Sequence, residues 1–429
     1  MTIQKTSMTR RRFGQLATAG IAALTARPAM AQAGTVSFMS FTYAEEPNKP
    51  HVQKLLDGFA AAGGKVEAIG SAWGDMQKNI LLRQRSRTLP TTAQIQERWM
   101  PSLATLPDIV NLDDILGRAK LEAAIDPKIL AMGRVNGKTV GLPLITGSVG
   151  MVANKEVLAK AGVEVPETLA DFKKALIAIR DKVPNSVPYA PATKNVNSIP
   201  LDFMIMVWAH GGRIIDETGK VLINSDAGRA TLAFMTELMK DRLIAPELDR
   251  PDSRRLFGQG ACGFYADPPQ ARGFARAFSG RGEAADAFVL PIKTPVLKAG
   301  DTPHSIQWGH LVSAFKGPMM DGPDSPGAKW LNYLISDAAQ GTFPPSLSAL
   351  PVTRSAQALP VVTKDAFFSN WKVASGTPLI NEIGIWSNAP ELSTILSEEF
   401  QAAVLGQKPS DAAIAAMASR MEASMAKRG

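Results

Sequence analysis

The chain has 429 residues, 45% hydrophobic and 20% charged, with a formal net charge of +8 and one cysteine. That length exceeds one ordinary core and suits two domains of a soluble globular protein. Much of the charge lies at the start: residues 1–31 hold five basic and no acidic residues. Without them 42 basic face 39 acidic residues, a balance of +3, and the compositional case for nucleic-acid binding falls away.

Paired arginines in Thr9-Arg10-Arg11-Arg12-Phe13 precede a weakly apolar run from Leu16 to Leu24, and Ala29-Met30-Ala31 supplies small residues for cleavage. The pattern predicts a signal peptide of twin-arginine type over residues 1–31. A basic membrane-surface helix is the competing reading. No later run approaches the ~20 apolar residues of a membrane span. Cys262 is alone and far from the cleavage site, so neither an intramolecular disulfide nor a lipid anchor is expected. The mature chain is expected to be soluble and periplasmic.

In chain order, Thr35 to Phe41 reads as a strand ending in a polar-aromatic loop, Thr42 to Glu46. A helix from Pro50 carries Val52, Leu55, Leu56 and Phe59 on one face and stops at Gly63-Gly64. A strand over 65–69, a helix over 73–87 and a strand over 91–96 follow. This alternation predicts a parallel sheet with crossover helices and ligand at the carboxyl ends of its strands. Those ends are Thr42 to Glu46, Ser71 to Gly74 and Glu97 to Trp99.

From Asn136 to Ile179 the chain leaves one compact unit and starts another. An Asn136-Gly137 turn leads to Gly141-Leu142-Pro143 and to Thr146 to Gly150. Asn154 then caps a helix that stops at Gly162, and Thr168 caps a longer one. Leu201 to Ala209 predicts a buried helix, and Ser225 caps another. Strands are expected near Phe264 to Ala266 and from Gln307 to Phe315. A helix from Ser325-Pro326 places Trp330 in the core, and Pro344 to Arg354 reads as a crossing segment. Helices over 390–405 and 410–427 close the chain.

Gly258-x-Gly260-x-x-Gly263 matches a dinucleotide motif, but here a helical turn precedes the glycines and a strand follows, the reverse of what a pyrophosphate site needs. Ser313-x-x-Lys316 and Ser369-x-x-Lys372 lack the companion motifs of serine–lysine acylation. The four histidines show no metal-ligand spacing. No enzyme activity, cofactor or metal is expected. Of the seven tryptophans, Trp73, Trp99, Trp308 and Trp386 stand at element ends beside polar neighbours. There an indole face can cover sugar C–H groups while polar side chains bind hydroxyls.

On Asn136-Gly137-Lys138, Gly141-Leu142-Pro143, Asn154-Lys155, Ala161-Gly162 and Pro166 to Phe172, the chain resembles the maltose-binding-like family of extracellular solute-binding proteins of carbohydrate ABC transporters. Trp73 to Asp75, Gln96 to Pro101, Phe257 to Gly260, Trp330 to Ser336 and Leu350-Pro351-Val352 add to the resemblance. It implies an α/β, two-lobed periplasmic-binding-protein fold of type II, each lobe a sheet flanked by helices with ligand between them. Residues 34–145 and 311–354 would form one lobe, and 146–310 and 355–429 the other. The chain would cross between lobes near Leu144 to Ser148, His310 and Arg354. The resemblance also implies the ligand-binding set: Tyr43, Trp73, Glu97, Trp99, Ser148, Tyr265, Asp267, Trp308, Gly309, His310 and Trp386. Trp99 and Trp308 would stack on sugar, with Glu97, Asp267 and His310 bonding hydroxyls.

The implied function is delivery of a carbohydrate by a monomer to the permease at the inner membrane. The segment after Pro188 departs from the pattern by lacking the aromatic that maltodextrin binders offer. A non-sugar solute such as a phosphorylated polyol, anchored by Arg98, Arg354 and His310, is the alternative, with an exported hydrolase behind it.

Overall fold

The computed structural model describes residues 34–194 and 196–427; the expected signal peptide lies outside them. Three parallel strands open the fold. β1 (Val36–Ser40) lies between β2 (Val66–Gly70) and β3 (Thr92–Gln96), with helices Lys49–Ala61 and Met76–Ser86 as crossovers. The predicted loop after β1 instead forms a helical turn, Phe41–Ala44, because the Ser40 hydroxyl accepts from the Tyr43 amide and caps it.

β4 (Arg134–Val135) and β5 (Lys138–Thr139) form a hairpin at Asn136-Gly137, where φ values of 50° and 75° are what a two-residue hairpin turn demands. β6 (Leu142–Asn154) follows, then β7 (Val187–Tyr189), β8 (Cys262–Asp267), β9 (Val289–Ile292), β10 (His304–Ala314) and β11 (Thr377–Leu379).

The strands form one hydrogen-bonded path, β2-β1-β3-β10-β6-β8-β7, with β9 on β6 and β11 on β10. Two sets of strands share β6, which spans about 40 Å at ~3.3 Å per residue. Its first residues, Leu142 to Ile145, pair with the far end of β10, which pairs with β3. Its last, Gly150 to Asn154, pair with β8 and β9. Between these stretches Thr146 exchanges two backbone hydrogen bonds with Leu350, at 2.9 and 3.1 Å. Two strands and a third segment therefore meet where the sequence places the pivot.

Local signals act as read. The Asn154 side chain accepts from the amides of Glu156 and Val157, and Gly162 ends that helix in the left-handed region. Thr168 caps Leu169–Lys182 and Ser225 caps Asp226–Lys240. Helix Ile199–Ala209 is buried on every side. Trp330 sits in the core against Phe38 and Phe59. Among the described residues no helix is long and apolar enough to cross a membrane.

Gly258 closes helix Arg250–Gly258, and β8 follows with Gly263 tight against the Pro188 carbonyl. Cys262 is fully buried there, and burial pushes its thiol up to about 12. Ellman's reagent is expected to leave Cys262 unmodified in the native protein over minutes and to react with it fully in guanidinium chloride. Rapid native labelling would contradict this packing.

Candidate ligand-binding cleft

The cleft forms where the carboxyl ends of β1 and β3 face the helix Arg250–Gly258 and the end of β8. After β3 the chain turns in a 3₁₀ helix, Glu97–Trp99. With three residues per turn, successive side chains point three ways. Glu97 turns to β10, where its carboxylate accepts from the Gly309 amide at 3.2 Å. Trp99 goes into the core, covered by Phe41, Trp73 and the Arg98 guanidinium. Arg98 faces the cleft, over the Trp73 ring at 5.5 Å and 3.7 Å from the Glu97 carboxylate.

The opposite wall is a buried charge network. Arg254 makes a bidentate pair with Asp267 at 2.8 and 2.9 Å and reaches Glu45, just after β1, at 3.6 Å. Arg250 pairs with Asp202 at 2.6 Å and donates to the Ala266 carbonyl. Burial opposes charge on Arg254, yet Asp267 and Glu45 outweigh it and raise its pKa. Burial lowers Arg98 to about 10 despite Glu97.

His310 lies on β10 at the floor. Burial, with Arg98 and Arg254 nearby, holds its imidazole well below the usual range, so the ring is neutral. Gln94 Nε2 donates to its Nδ1 at 2.9 Å, which leaves the ring proton on Nε2 as a donor. Gln94 is itself fixed by Ser40 and Thr42.

Trp73, Asp267, Trp308 and His310 thus line one inner chamber, together with Glu45, Gln96, Arg98, Arg250, Arg254 and Gln270. Glu97 borders a larger neighbouring groove. Gly309 contributes its amide to Glu97 and has no space for a side chain beside Met132 and Ile145. The remaining residues of the expected set lie outside both cavities. Tyr43 packs beside Gly70 under Lys49. Ser148 bonds Ser375 and the Trp371 indole. Tyr265 is fully buried and bonds Asp267. Trp386 is buried, its indole donating to the Glu382 carbonyl. Trp99 borders only a third, small cavity beside Arg98.

Sequence reasoning did not find Arg250, Arg254, Gln96 or Gln270 and weighed Arg98 only as an anchor for an anion. The available signals were the i, i+4 spacing of Arg250 and Arg254 and the lone carboxylate Asp202 in an apolar helix.

Gly384 lies close beside Arg98: a Cβ there would sit 2.4 Å from the Arg98 Cβ. Gly384→Ala is therefore expected to keep the lobes from closing fully and to weaken ligand binding tenfold or more. Its circular dichroism melting curve should stay close to wild type. Wild-type affinity in calorimetry would remove this contact from the closed form.

Burial raises the Glu45 carboxyl above its ordinary 4.5, only partly offset by Arg254. Opening the lobes would expose the group and return it toward 4.5. A carboxyl with a higher pKa in the closed form makes closure take up a proton. Acidification through the window between the raised value and 4.5 should thus increase the closed population of ligand-free protein. Small-angle scattering should show the radius of gyration falling with pH, and Glu45→Gln should flatten the trend.

The fold and cleft are those of a protein that binds a solute. The chain belongs to the bacterial extracellular solute-binding proteins, the family that matches residues 44–341. Membership makes it a binding protein and not a catalyst. It is similar to a protein of Brucella abortus described as a binding protein, 22% identical over 324 residues, 73% of each chain. A shorter stretch of 113 residues, 26% of this chain and 25% of the relative, is 29% identical to the arabinooligosaccharide-binding protein of Bacillus subtilis. In fold it is similar to the GacH receptor of Streptomyces glaucescens, solved without ligand and with acarbose (TM-score 0.80, 21% identity, 92% of this chain and 99% of that one). It is likewise similar to maltose-bound MalE3 of Thermotoga maritima (TM-score 0.78, 19% identity, 90% and 99%).

Proposed function

We propose that the protein is the carbohydrate-binding component of a bacterial ABC importer. It acts in the periplasm, closes on a sugar or oligosaccharide and hands it to a membrane permease. Four buried polar atoms on the cleft walls carry this reading. Gln96 Oε1 and Glu97 Oε1, both acceptors, and Arg98 Nη2 and Gln270 Nε2, both donors, have no hydrogen-bond partner in the protein. Leaving such groups unpaired costs about 1–3 kcal/mol each. An anion satisfies only the donors and an ammonium group only the acceptors, whereas a hydroxyl gives and takes a hydrogen bond at once. Adjacent hydroxyls on a ring fit this alternation, and Trp73 and Trp308 offer apolar faces to the ring's C–H groups.

The known ligands of related proteins point the same way: acarbose for GacH and maltose for MalE3. We place the division of the lobes at 34–145 with 311–354 against 146–310 with 355–429. The split pairing of β6 supports that division. Ligand contacting both lobes binds the closed form better and shifts the population toward it. A thermal-shift screen against mono- and oligosaccharides, polyols and their phosphates tests the reading. A dominant hit among neutral sugars is expected. A shift confined to phosphorylated compounds would replace the sugar with an anionic solute.

A further inference from the structure

Helix Met76–Ser86 has two contrasting sides. Met76 and Ile80 go into the core, whereas Lys78, Leu81, Leu82 and Arg85 are exposed, at i, i+3, i+4 and i+7 along one face. Leu81 is 40% and Leu82 49% exposed. From Met76 to Thr88 the chain holds four cations, Lys78, Arg83, Arg85 and Arg87, and no acidic residue. Among the described residues none of the four forms an ion pair. Arg83 donates to the Thr88 carbonyl at 3.3 Å, and the Asp108 carboxylate beside this helix takes its hydrogen bond from Gln84 at 2.6 Å.

Helix stability does not account for this face. Arg83 and Arg85 in the last turn suit the negative end of the helix dipole, but Lys78 stands in the first turn, where a cation is unfavourable. Arg87 holds a φ of 56° at the C-cap, a left-handed position in which glycine costs least, so the cap does not call for a charge. The two adjacent leucines, left largely in water, contribute little to the core. Leucines set among cations match a partner that is negative at its surface and apolar beneath. The outside of a helix is convex and suits a broad surface, whereas a bound peptide calls for a groove or a strand edge.

We propose that this helix docks the protein reversibly on an anionic phospholipid bilayer, with Lys78, Arg85 and Arg87 at the headgroups and Leu81 and Leu82 entering between them. The family is extracellular, so the bilayer is the one the chain meets outside the cytoplasm. Docking confines the protein to the membrane surface and shortens its search for a membrane partner. With two leucines and a few cations the attachment is weak and screened by salt. It does not depend on the identity of the bound solute.

The test is flotation of the full mature chain with vesicles of phosphatidylglycerol and phosphatidylethanolamine, beside vesicles of phosphatidylcholine alone. Binding to the anionic vesicles is expected, with a loss of tenfold or more between about 50 mM and about 300 mM sodium chloride. The triple variant Lys78→Gln, Arg85→Gln, Arg87→Gln should lose tenfold or more. A control that removes the same charge elsewhere, Lys220→Gln, Lys298→Gln, Lys364→Gln, should lose less than threefold. Leu81→Ser with Leu82→Ser should lose threefold or more while its melting curve stays close to wild type. Equal losses in the two triple variants would reduce the effect to net charge and overturn the proposal. Equal binding to both kinds of vesicle would also overturn it. So would no binding to anionic vesicles by a protein that an acidic peptide still captures through this helix, which would assign the face to a protein partner.

Discussion

Arg254→Ala is expected to cost about 3–5 kcal/mol of folding stability, because it strands two carboxylates in a buried site. Asp267 is fully buried and has both oxygens on the Arg254 guanidinium; Glu45 approaches the same group at 3.6 Å. Removing the cation leaves an uncompensated charge on a carboxylate with no exposed surface, a larger loss than the pair's own net contribution. Urea denaturation followed by circular dichroism measures the loss. The double variant Arg254→Met with Asp267→Asn should regain part of it, since of the two carboxylates only Glu45 is then left without its cation. Ligand affinity should fall at least tenfold in the single variant, about 1.4 kcal/mol. A stability within 1 kcal/mol of wild type would mean that Asp267 finds another partner.

Glu382→Ala should be damaging for a different reason. Its buried carboxylate accepts from the Trp208 indole at 2.7 Å, from the amides of Ile214 and Ile215 at 2.5 and 3.2 Å, and from Arg213. One side chain thereby ties the segment that carries Asn381 and Gly384 to helix Ile199–Ala209. Each donor left buried and unpaired costs about 1–3 kcal/mol, so a loss near 3–5 kcal/mol is expected after partial relaxation. Because that segment forms one wall of the cleft beside Arg98, ligand binding should weaken even at temperatures where the variant is folded. Glu382→Gln keeps one acceptor oxygen but sets its NH2 against the donors that face the other, so it should recover only part of the loss. A stability equal to wild type in Glu382→Gln would show that one acceptor oxygen suffices.

The fold was legible because its signals are local. Alternating strand and helix periodicity foretold β1 to β3, and Asn136-Gly137, Asn154, Gly162, Thr168 and Ser225 each marked a boundary where side-chain chemistry fixes the backbone. The continuity of β6 through both lobes was not legible, since a strand's partners are set by tertiary pairing and not by its own residues. The site was legible in part. The family resemblance pointed to Trp73, Asp267, Trp308 and His310, which line one chamber. Within Glu97-Arg98-Trp99, however, the turn type decides which side chain faces the ligand, and the 3₁₀ turn sends Arg98 there and Trp99 inward. Arg254 was hidden because its meaning depends on Asp267, thirteen residues away, and on Glu45 across the cleft.

The central claim is that a hydroxyl-rich ligand satisfies Gln96, Glu97, Arg98 and Gln270 inside the cleft. Isothermal titration calorimetry of the best sugar from the thermal screen tests it most directly, with wild type beside Gln270→Leu and Arg98→Met. Both replacements keep bulk but remove a donor. One site per chain is predicted, with affinity falling at least tenfold in each variant and the heat of binding becoming less favourable. Wild-type affinity in both variants, or no heat from any neutral sugar, would contradict the account.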